Sequence, residues 1–361
     1  MPKFLIAIIL LASTTLQAQL VRKYSNEFLS IGVGARALGM GNANITTVEG
    51  ANSGYWNPAG LIKQTNDLEV SLMHAEYFAG IAKYDYMGAS KRIDSNSVGG
   101  ISLLRFGVDN IPNTLDLQDA NGNIDYNRIT TFNAVDFAML LSYARKIPKL
   151  KGVDVGGNFK IIRRKIGAFG GAWGFGLDAG AMYTYKKWKF AAMGRDITGT
   201  FNAWSYNLSD KEIATFIQTD NDVPSSSLEI TAPKLILGGA RTFYFWKDRI
   251  SVLGELNLIN TFDGARNTVI KTDLWSMEPA FGTELGFKGF IYLRGGIGNI
   301  QNQLNDDASA YITTFQPNFG VGIKYKIFTL DYALTDIGDR SIAIYSNIFS
   351  LKIDLNKKMN K

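Results

Sequence analysis

Short segments in which apolar and polar residues alternate fill the chain from residue 66 almost to its end. In one of them, Val135, Phe137 and Met139 would face one way while Asp136 and Ala138 face the other. Strict alternation predicts half-buried β-strands, because successive side chains of a strand point to opposite faces. Fourteen such segments can be cut from the sequence: 66–77, 82–91, 97–107, 133–146, 153–166, 173–185, 188–198, 233–243, 249–260, 278–287, 290–298, 315–326, 327–336 and 342–355.

The connections between these segments differ in length in a regular way. The four long ones, 108–132, 199–232, 261–277 and 299–314, all follow odd-numbered segments, and every even-numbered connection is tight. Outer-membrane barrels show this asymmetry, with long outer loops and short periplasmic turns, and an even strand number leaves no exposed edge. The pattern therefore predicts an all-β fold, a 14-stranded antiparallel transmembrane β-barrel. A soluble sandwich is the alternative, but it has no reason to place every long loop on one edge.

Aromatic and basic residues gather near the ends of the predicted strands. The aromatic rings are typical of membrane-interface girdles, although aromatic residues of a sheet core would give a similar pattern. The aromatic set is Tyr77, Tyr84, Tyr86, Tyr183, Tyr185, Trp188, Phe243, Tyr244, Phe245, Trp246 and Tyr325. Basic residues at the short turns could form a positive rim against anionic outer-membrane lipid, or they could simply keep the turns solvated.

The N-terminus has the features of an export signal. Lys3 gives a positive start, residues 4–12 an apolar core, and residues 16–18 a cleavage site. The chain has no cysteine, which excludes disulfides and metal–thiolate sites, and its formal net charge is +6. No basic run with interleaved aromatic residues is present, so we expect no nucleic-acid partner. Residues 1–18 are therefore predicted to be a signal peptide that directs the chain to the cell outer membrane.

A glycine-rich segment lies between the signal and the first strand. Residues 28–61 contain closely spaced glycines around Arg36 and end in Tyr55-Trp56-Asn57-Pro58-Ala59-Gly60-Leu61. Glycine permits close backbone approach, and an Asn-Pro pair turns the chain without sheet pairing. We expect residues 19–65 to form a plug, or hatch, inside a barrel of residues 66–355, followed by a tail, 356–361. Within the plug, Arg36, Trp56, Asn57 and Pro58 are the candidates for contact with a ligand or partner, and the alternative is a purely structural turn.

The loop over residues 199–232 contains a predicted helix. Ser209 and Glu212 have the spacing of a capping box, with apolar residues following at helical spacing. Such a helix would either cap the barrel mouth, which we favour, or dock on another protein. The candidate partner contacts in this loop are Trp204, Ile213, Phe216 and Ile217.

Residues that could support catalysis or cofactor binding are scarce. Gly32-Val33-Gly34 and Ala37 superficially match a dinucleotide fingerprint, but no strand–helix alternation surrounds them. The chain has a single histidine, His74. We therefore predict no enzymatic activity, no cofactor and no metal. Four carboxylates that could share the barrel interior, Asp136, Asp154, Glu255 and Asp331, are expected to pair with Lys160 and Arg36.

Two plug motifs carry a family resemblance. The order FL-x-I-x-x-x-ARALGMG-x-A followed by YWNPAGL resembles the PorV/PorQ family of Bacteroidetes, which are similar to FadL-type transporters. The matching residues are Phe28, Leu29, Ala35 to Gly41, Ala43 and Tyr55 to Leu61. Gly32-Val33-Gly34 departs from PorV itself, which favours a divergent PorV paralogue. The resemblance implies an outer-membrane component of the type IX secretion system whose partners are translocon, cargo or attachment-complex proteins.

Two functions follow from these observations. The first is a non-enzymatic barrel that binds translocon or cargo proteins, and the second is a FadL-like transporter of hydrophobic small molecules. A binding protein needs exposed apolar surface on its loops and no open path. A transporter needs an apolar pocket beside the hatch and a gap or kink in a strand. A barrel that only anchors other proteins is a third reading.

Overall fold

β-Strands form most of the molecule. The computed structural model describes residues 25–118, 122–305, 307, 309–337 and 345–356. The strands are β1 Leu68–Tyr77, β2 Ala82–Arg92, β3 Ser97–Asn113, β4 Thr130–Lys146, β5 Val153–Ile166, β6 Gly170–Tyr185, β7 Trp188–Arg195, β8 Thr200–Tyr206, β9 Ser227–Thr231, β10 Lys234–Phe245, β11 Ile250–Thr261, β12 Ile270–Lys271, β13 Ser276–Phe287, β14 Ile291–Leu304, β15 Tyr311–Tyr325, β16 Phe328–Thr335 and β17 Ser346–Leu355.

Helices are short. They are α1 Ala35–Gly39, α2 Ser53–Trp56 and α3 Asp210–Gln218, with 3₁₀ turns at Glu27–Leu29, Gly50–Asn52, Pro58–Lys63 and Tyr126–Arg128. No helix in the described residues is long and apolar enough to cross a membrane. The expected signal peptide, 1–18, and the tail beyond Asn356 lie outside the described residues.

The strands close into a barrel. β1 pairs with both β2 and β17, and every other neighbouring pair is antiparallel as well. β6 pairs with both β7 and β8, so these two strands together make one strand of the wall. β9 and β10 together make the next wall strand in the same way. β12 is a two-residue addition to β13. The seventeen strands thus make fourteen wall strands, and the predicted closed 14-strand antiparallel barrel is confirmed.

The long connections lie at one end of the barrel, here called the loop end, and the tight ones at the opposite turn end. Several strands run further toward the loop end than expected. β3 continues to Asn113 and β14 to Leu304, and both ladders contain a bulge in this part. The predicted loop 199–232 contains β8 and β9, so much of it belongs to the wall. Alternation weakens at bulges, which is why the sequence pattern ended these strands early.

The wall is interrupted in two neighbouring strands. Residues 196–199 separate β7 from β8, and residues 232–233 separate β9 from β10. Asp196 and Gly199 have positive φ values of 56° and 69°. Pro233 cannot donate a hydrogen bond to the ladder. These features interrupt the ladder at one place in the barrel wall, here called the wall kink.

Residues 25–67 precede the first strand and lie inside the barrel. The main hydrophobic cluster joins plug residues such as Val33 and Trp56 to inward-facing wall residues such as Tyr84 and Met193. A barrel wall is one sheet thick, so its core must be filled from within. The plug supplies ten of the 26 buried residues of this cluster.

Glycines on the inner wall let the plug backbone lie directly against the sheet. A Cβ atom on Gly296 would lie 2.0 Å from the carbonyl carbon of Met40, and one on Gly156 would lie 2.6 Å from that of Pro58. Both obstructing groups are backbone, which cannot swing away as a flexible side chain can. Any larger residue at these wall positions would displace the plug.

We expect Gly296→Val to unseat the plug. The added side chain meets the Met40 backbone, and overpacking of this kind typically costs about 1–3 kcal/mol. Gly295→Val is the matched control, because a Cβ on Gly295 faces outward and meets nothing within 4 Å. Urea unfolding in detergent and limited proteolysis of the plug should both show the difference. Equal stability and equal protection in the two variants would contradict this account of the glycines.

Candidate functional site

A chain of four charged side chains holds helix α1 to the wall. The Nε atom of Arg36 donates to Glu284 at 2.9 Å, and Arg294 donates to the same carboxylate at 2.6 Å. Arg294 also contacts Asp331 at 2.8 Å. The charges alternate in sign along the chain, so each buried group has an opposite neighbour.

This contact keeps Arg36 charged. Burial alone would lower the pKa of the Arg36 guanidinium, but the adjacent Glu284 carboxylate outweighs burial, and the net shift is upward. A second guanidinium nitrogen donates to Asn44 at 2.7 Å, which links α1 to the next plug segment. Arg36 thus helps to hold the plug against the wall, and its side chain also lines a cavity at the turn end.

Wall carboxylates satisfy plug backbone groups elsewhere around the barrel. Glu255 accepts hydrogen bonds from the Thr46 backbone N–H at 2.7 Å and from the Thr47 hydroxyl at 2.5 Å. Glu69 accepts one from the Ala51 backbone N–H at 2.8 Å. These N–H groups have no sheet or helix partner, and burying them unpaired would be costly. Inward acids therefore act as fixed acceptors for an irregular chain.

Asn57 and Pro58 form a buried turn of the plug. Asn57 is 0% exposed, and its side-chain oxygen accepts a hydrogen bond from the Ala59 N–H at 3.1 Å, which caps the following 3₁₀ turn. Its amide donates to the carbonyls of Ile45 and Ala181 at 3.3 and 3.4 Å. Neither residue lines either of the two large cavities. Their contacts are those of a structural turn.

Trp56 has a different environment from the next two residues of the motif, Asn57 and Pro58. It is 4% exposed, and its ring N–H donates to the Val33 carbonyl at 2.8 Å. The Arg195 guanidinium lies 5.7 Å from its ring centroid and 4.6 Å from that of Tyr55. Trp56 lines the larger cavity, so it is the motif residue placed to meet a ligand.

The plug divides the lumen into two spaces. The loop-end cavity has a volume of about 530 Å³, within the range of small-molecule sites. Its apolar lining residues are Leu38, Trp56, Tyr77, Phe78, Phe106, Ile236, Ile259 and Ala280, together with Ile31. Polar residues lie among them: Lys234 contacts Glu27 at 3.3 Å, and Arg266 contacts Glu27 at 3.2 Å. The arrangement suits a small, mainly apolar molecule that tolerates a polar edge.

The turn-end cavity is smaller and more polar. Its volume is about 260 Å³, and charged residues such as Arg36, Glu49 and Lys352 line it. Wall residues carrying hydroxyl groups make up much of the rest. The two spaces lie on opposite sides of the plug, and the apolar surface is concentrated in the loop-end cavity.

Buried charges fill the wall kink from inside. Lys160 contacts Asp178 at 2.8 Å and also contacts Asp196 within the kink. The Asp196 backbone N–H donates to Asp178 at 2.9 Å, and the Thr200 hydroxyl donates to Asp196. The Ile197 backbone N–H also donates to the Leu177 carbonyl of β6 at 3.0 Å. The break in the ladder is therefore closed by these side chains together with one backbone hydrogen bond to β6.

The predicted ion pairs of the lumen were wrong in their partners. Lys160 and Arg36 pair with Asp178, Asp196 and Glu284, none of which belongs to the four carboxylates singled out in the sequence. Those four have other contacts. Asp136 pairs with Arg164, Asp154 with Lys63 and Asp331 with Arg294, while Glu255 binds the plug. Glu284 and Asp178 were missed although both occupy inward positions of alternating strands.

The loop candidates fall into two environments. Trp204 lies in β8 with its side chain buried inside the wall, where its ring N–H donates to Glu229 at 2.7 Å. Helix α3 begins with the predicted capping box at Ser209. Ile213 and Phe216 are half-buried, whereas Ile217 is 65% exposed.

Helix α3 packs on its own chain. Lys211 contacts Asp116 at 2.6 Å, and the Thr215 hydroxyl lies 3.4 Å from the Leu115 carbonyl. The helix thus rests on the loop that follows β3, as expected for a helix that caps the mouth. Within the described residues, no group of three or more histidine, aspartate or glutamate side chains could hold a metal ion.

Comparisons with known proteins give structural neighbours only. No protein-family profile and no curated sequence match the chain. The monoaromatic hydrocarbon channel CymD is similar with a TM-score of 0.56 and 11% identity over 90% of this chain and 98% of that one. The toluene transporter TodX of Pseudomonas putida gives 0.55 and 12% over 90% and 98%. A Pseudomonas aeruginosa FadL homologue gives 0.50 and 9% over 89% and 98%. At these identities the likeness establishes a FadL-like fold.

We expect Glu284→Gln to loosen the plug. The change leaves Arg36 and Arg294 side by side without their shared acid, and breaking a buried pair costs about 3 kcal/mol. Amide hydrogen exchange in residues 35–48 should then accelerate by about 100-fold, since 1.4 kcal/mol corresponds to a factor of ten. Glu49→Gln, at an exposed plug position, is the control. Unchanged exchange in Glu284→Gln would show that this ion pair does not hold the plug.

Proposed function

We propose that this protein is an outer-membrane barrel that takes up small hydrophobic molecules through the loop-end cavity. The observation that carries the proposal is the set of apolar side chains that line that cavity, among them Trp56 of the plug and Phe106 and Ile236 of the wall. Apolar surface facing an internal space of about 530 Å³ favours an apolar ligand over water. No catalytic role is proposed.

The outer face of the barrel supports a membrane location. Its outward side chains are largely apolar, and many aromatic rings near the strand ends are exposed, among them Tyr183, Trp188 and Phe245. Exposing such a surface to water would be unfavourable, whereas lipid accommodates it. The FadL-like fold is consistent with this location.

The printed descriptions of the structural neighbours suggest the ligand class. CymD is described as a monoaromatic hydrocarbon channel, and TodX as a toluene transporter. The cavity of this chain is lined by four aromatic residues, Trp56, Tyr77, Phe78 and Phe106. Aromatic rings pack well against one another in edge-to-face and offset arrangements. Small aromatic hydrocarbons are therefore the ligands to test first.

The plug and the wall kink provide elements that could open a path. The plug closes the direct route to the turn end and is held by side-chain contacts to the wall. The kink at residues 196–199 interrupts the ladder and is closed by the Lys160, Asp178 and Asp196 side chains. A kinked strand beside an apolar pocket matches the requirements set out above for a transporter.

Filling the cavity should abolish uptake. Ala280 lies on the inner face of β13 and lines the cavity, whereas its neighbour Phe281 faces outward and is exposed. Ala280→Trp should reduce toluene binding by purified protein and toluene uptake by cells, because the indole takes the place of the ligand. Phe281→Trp, which adds an indole on the opposite face, should retain both. Equal uptake by the two variants would contradict the cavity as the binding site.

A role in type IX secretion is the second candidate. The plug motifs that resemble the PorV/PorQ family support it, as does apolar surface exposed at the loop end, including Ile217, Leu274 and Tyr311. A translocon, cargo or attachment-complex protein would then bind this surface.

Deleting the gene and making an inventory of surface and secreted proteins separates the two candidates. Lost export that is restored by a gene carrying Gln218→Asp but not by one carrying Ile217→Asp would favour partner binding at helix α3, because Ile217 is the apolar, exposed position of the two. Unchanged export with lost toluene uptake would favour the transporter.

A further inference from the structure

One cation interrupts the apolar outer face of the barrel near its turn end. Within the described residues, the outward positions of β6 to β11 and β13 to β17 carry no charged side chain except Arg241 on β10. Gly239 and Phe243 share its face, whereas Ala240 faces the plug. A cation on the lipid face is destabilising in proportion to its depth in the membrane. The side chain must therefore either reach the interface or bind a partner at the membrane surface.

Arg241 lies between two aromatic rings. The central carbon of its guanidinium is 5.0 Å from the ring centroid of Trp188 on β7 and 4.6 Å from that of Phe243. Phe243 is two residues nearer the turn, so the side chain extends toward the turn end, as long cationic side chains do when they reach for the interface. Trp188 follows directly on the turn Lys186-Lys187. The guanidinium thus lies at the level of the turn-end aromatic residues, where lipid headgroups begin.

The protein offers this guanidinium no anion. In the part of the chain that the structure describes, it has no hydrogen-bond acceptor and no carboxylate within 4.0 Å, and its Nε atom is buried without a partner. The inward arginines Arg36 and Arg294 each contact a carboxylate. Arg163, a second outward arginine stacked on a ring, donates to two backbone carbonyls. Arg241 therefore keeps its terminal N–H groups available for a ligand outside the barrel.

An open groove leads from Arg241 toward the middle of the wall. Gly239 is the next outward residue of β10 in that direction, and its neighbours in the register row are Phe190 and Leu256, both exposed. A Cβ on Gly239 would approach only the Phe190 ring, at 3.8 Å. Beside Arg241, a Cβ on Gly254 would meet nothing within 4 Å. The missing side chains leave a shallow groove between two apolar ridges, with the cation at one end.

We propose that Arg241 and this groove bind one phospholipid of the periplasmic leaflet. The inference rests on the outer-membrane location proposed above, with the turn end toward the periplasm. The phosphate accepts hydrogen bonds from the terminal nitrogens of the guanidinium, whose planar fork matches two phosphate oxygens. One acyl chain then lies over Gly239 and runs toward the membrane centre. In the described residues, β7, β10 and β11 carry no outward acid that would repel the phosphate.

Two other anions suit the site less well. The phosphates of lipopolysaccharide lie at the opposite, loop end of an outer-membrane barrel and are out of reach of Arg241. Free inorganic phosphate would contact the guanidinium but would leave the groove over Gly239 empty. The lysines of the short turns attract either ion without fixing it, because flexible, solvated side chains hold a counter-charge weakly. A phospholipid meets both the cation and the groove.

Native mass spectrometry of the full chain, purified in mild detergent and titrated with dioleoylphosphatidylglycerol, tests the cation. Arg241→Gln should weaken binding of the first lipid about tenfold, the loss expected when one charge-assisted hydrogen bond is removed. Arg163→Gln is the matched control, because this arginine is also outward and ring-stacked but lies near the loop end with carbonyl partners. It should bind the lipid as the unmodified protein does. Unchanged binding in Arg241→Gln, or an equal loss in both variants, would overturn the proposal.

Two further arms identify the ligand. Dioleoylglycerol, which has the same chains without a phosphate, should bind about tenfold more weakly, and inorganic phosphate should not displace the phospholipid. Gly239→Leu fills the groove and should weaken lipid binding, whereas Gly295→Leu, at an open outward position on β14, should not. Displacement by inorganic phosphate would show an anion site with no lipid specificity. That result, or equal lipid binding by the two glycine variants, would refute the phospholipid site.

Folding and transport are separated from lipid binding in this design. Heat-modifiable migration on gels shows that each variant still forms a barrel, so lost binding is not lost structure. The titration contains no toluene, and Arg241 and Gly239 do not line the loop-end cavity. Failure of toluene uptake would therefore count against the proposed transport alone, and failure of lipid binding against the phospholipid site alone.

Discussion

The interior of this barrel depends on one requirement, that the irregular plug find hydrogen-bond partners for its buried backbone. A closed ladder offers none from its own backbone, because its N–H and C=O groups are already paired. Inward side chains must therefore provide them. Glu255 and Glu69 accept from plug N–H groups, and the Ser350 hydroxyl lies 3.0 Å from the Ala35 N–H. The polar lumen follows from the plug, and it is not by itself a sign of catalysis.

The same requirement positions the candidate site. At inward glycines such as Gly296 and Gly156, the plug backbone lies directly against the wall. Near Trp56 and Phe106 a cavity opens between plug and wall, and several of its apolar lining residues belong to the hydrophobic core or pack against it. A ligand in that cavity would contact the plug itself. Binding and plug movement can thus be coupled through one surface, which a simple pore would not allow.

Local features of the structure could be predicted from the sequence, and distant pairings could not. Alternation and loop lengths predicted the barrel, and the Ser209–Glu212 spacing predicted the start of helix α3, because these signals lie within a few residues. Arg36 and Glu284 are 248 positions apart, and no single-sequence pattern joins them. Trp204 was assigned to a loop because the kink at residues 196–199 hides the continuation of its wall strand. The motif 55–61 predicted a turn, but only the fold shows that Trp56 alone among its candidates meets the loop-end cavity.

We propose that the loop-end cavity binds a small hydrophobic molecule beside the plug. A crystal structure of the protein soaked with bromobenzene tests this binding most directly, because bromine can be located by anomalous scattering. We expect a bromine peak inside the cavity, between Trp56, Phe106 and Ile236. An empty cavity, with bromine only on the lipid-facing surface of the barrel, would contradict it.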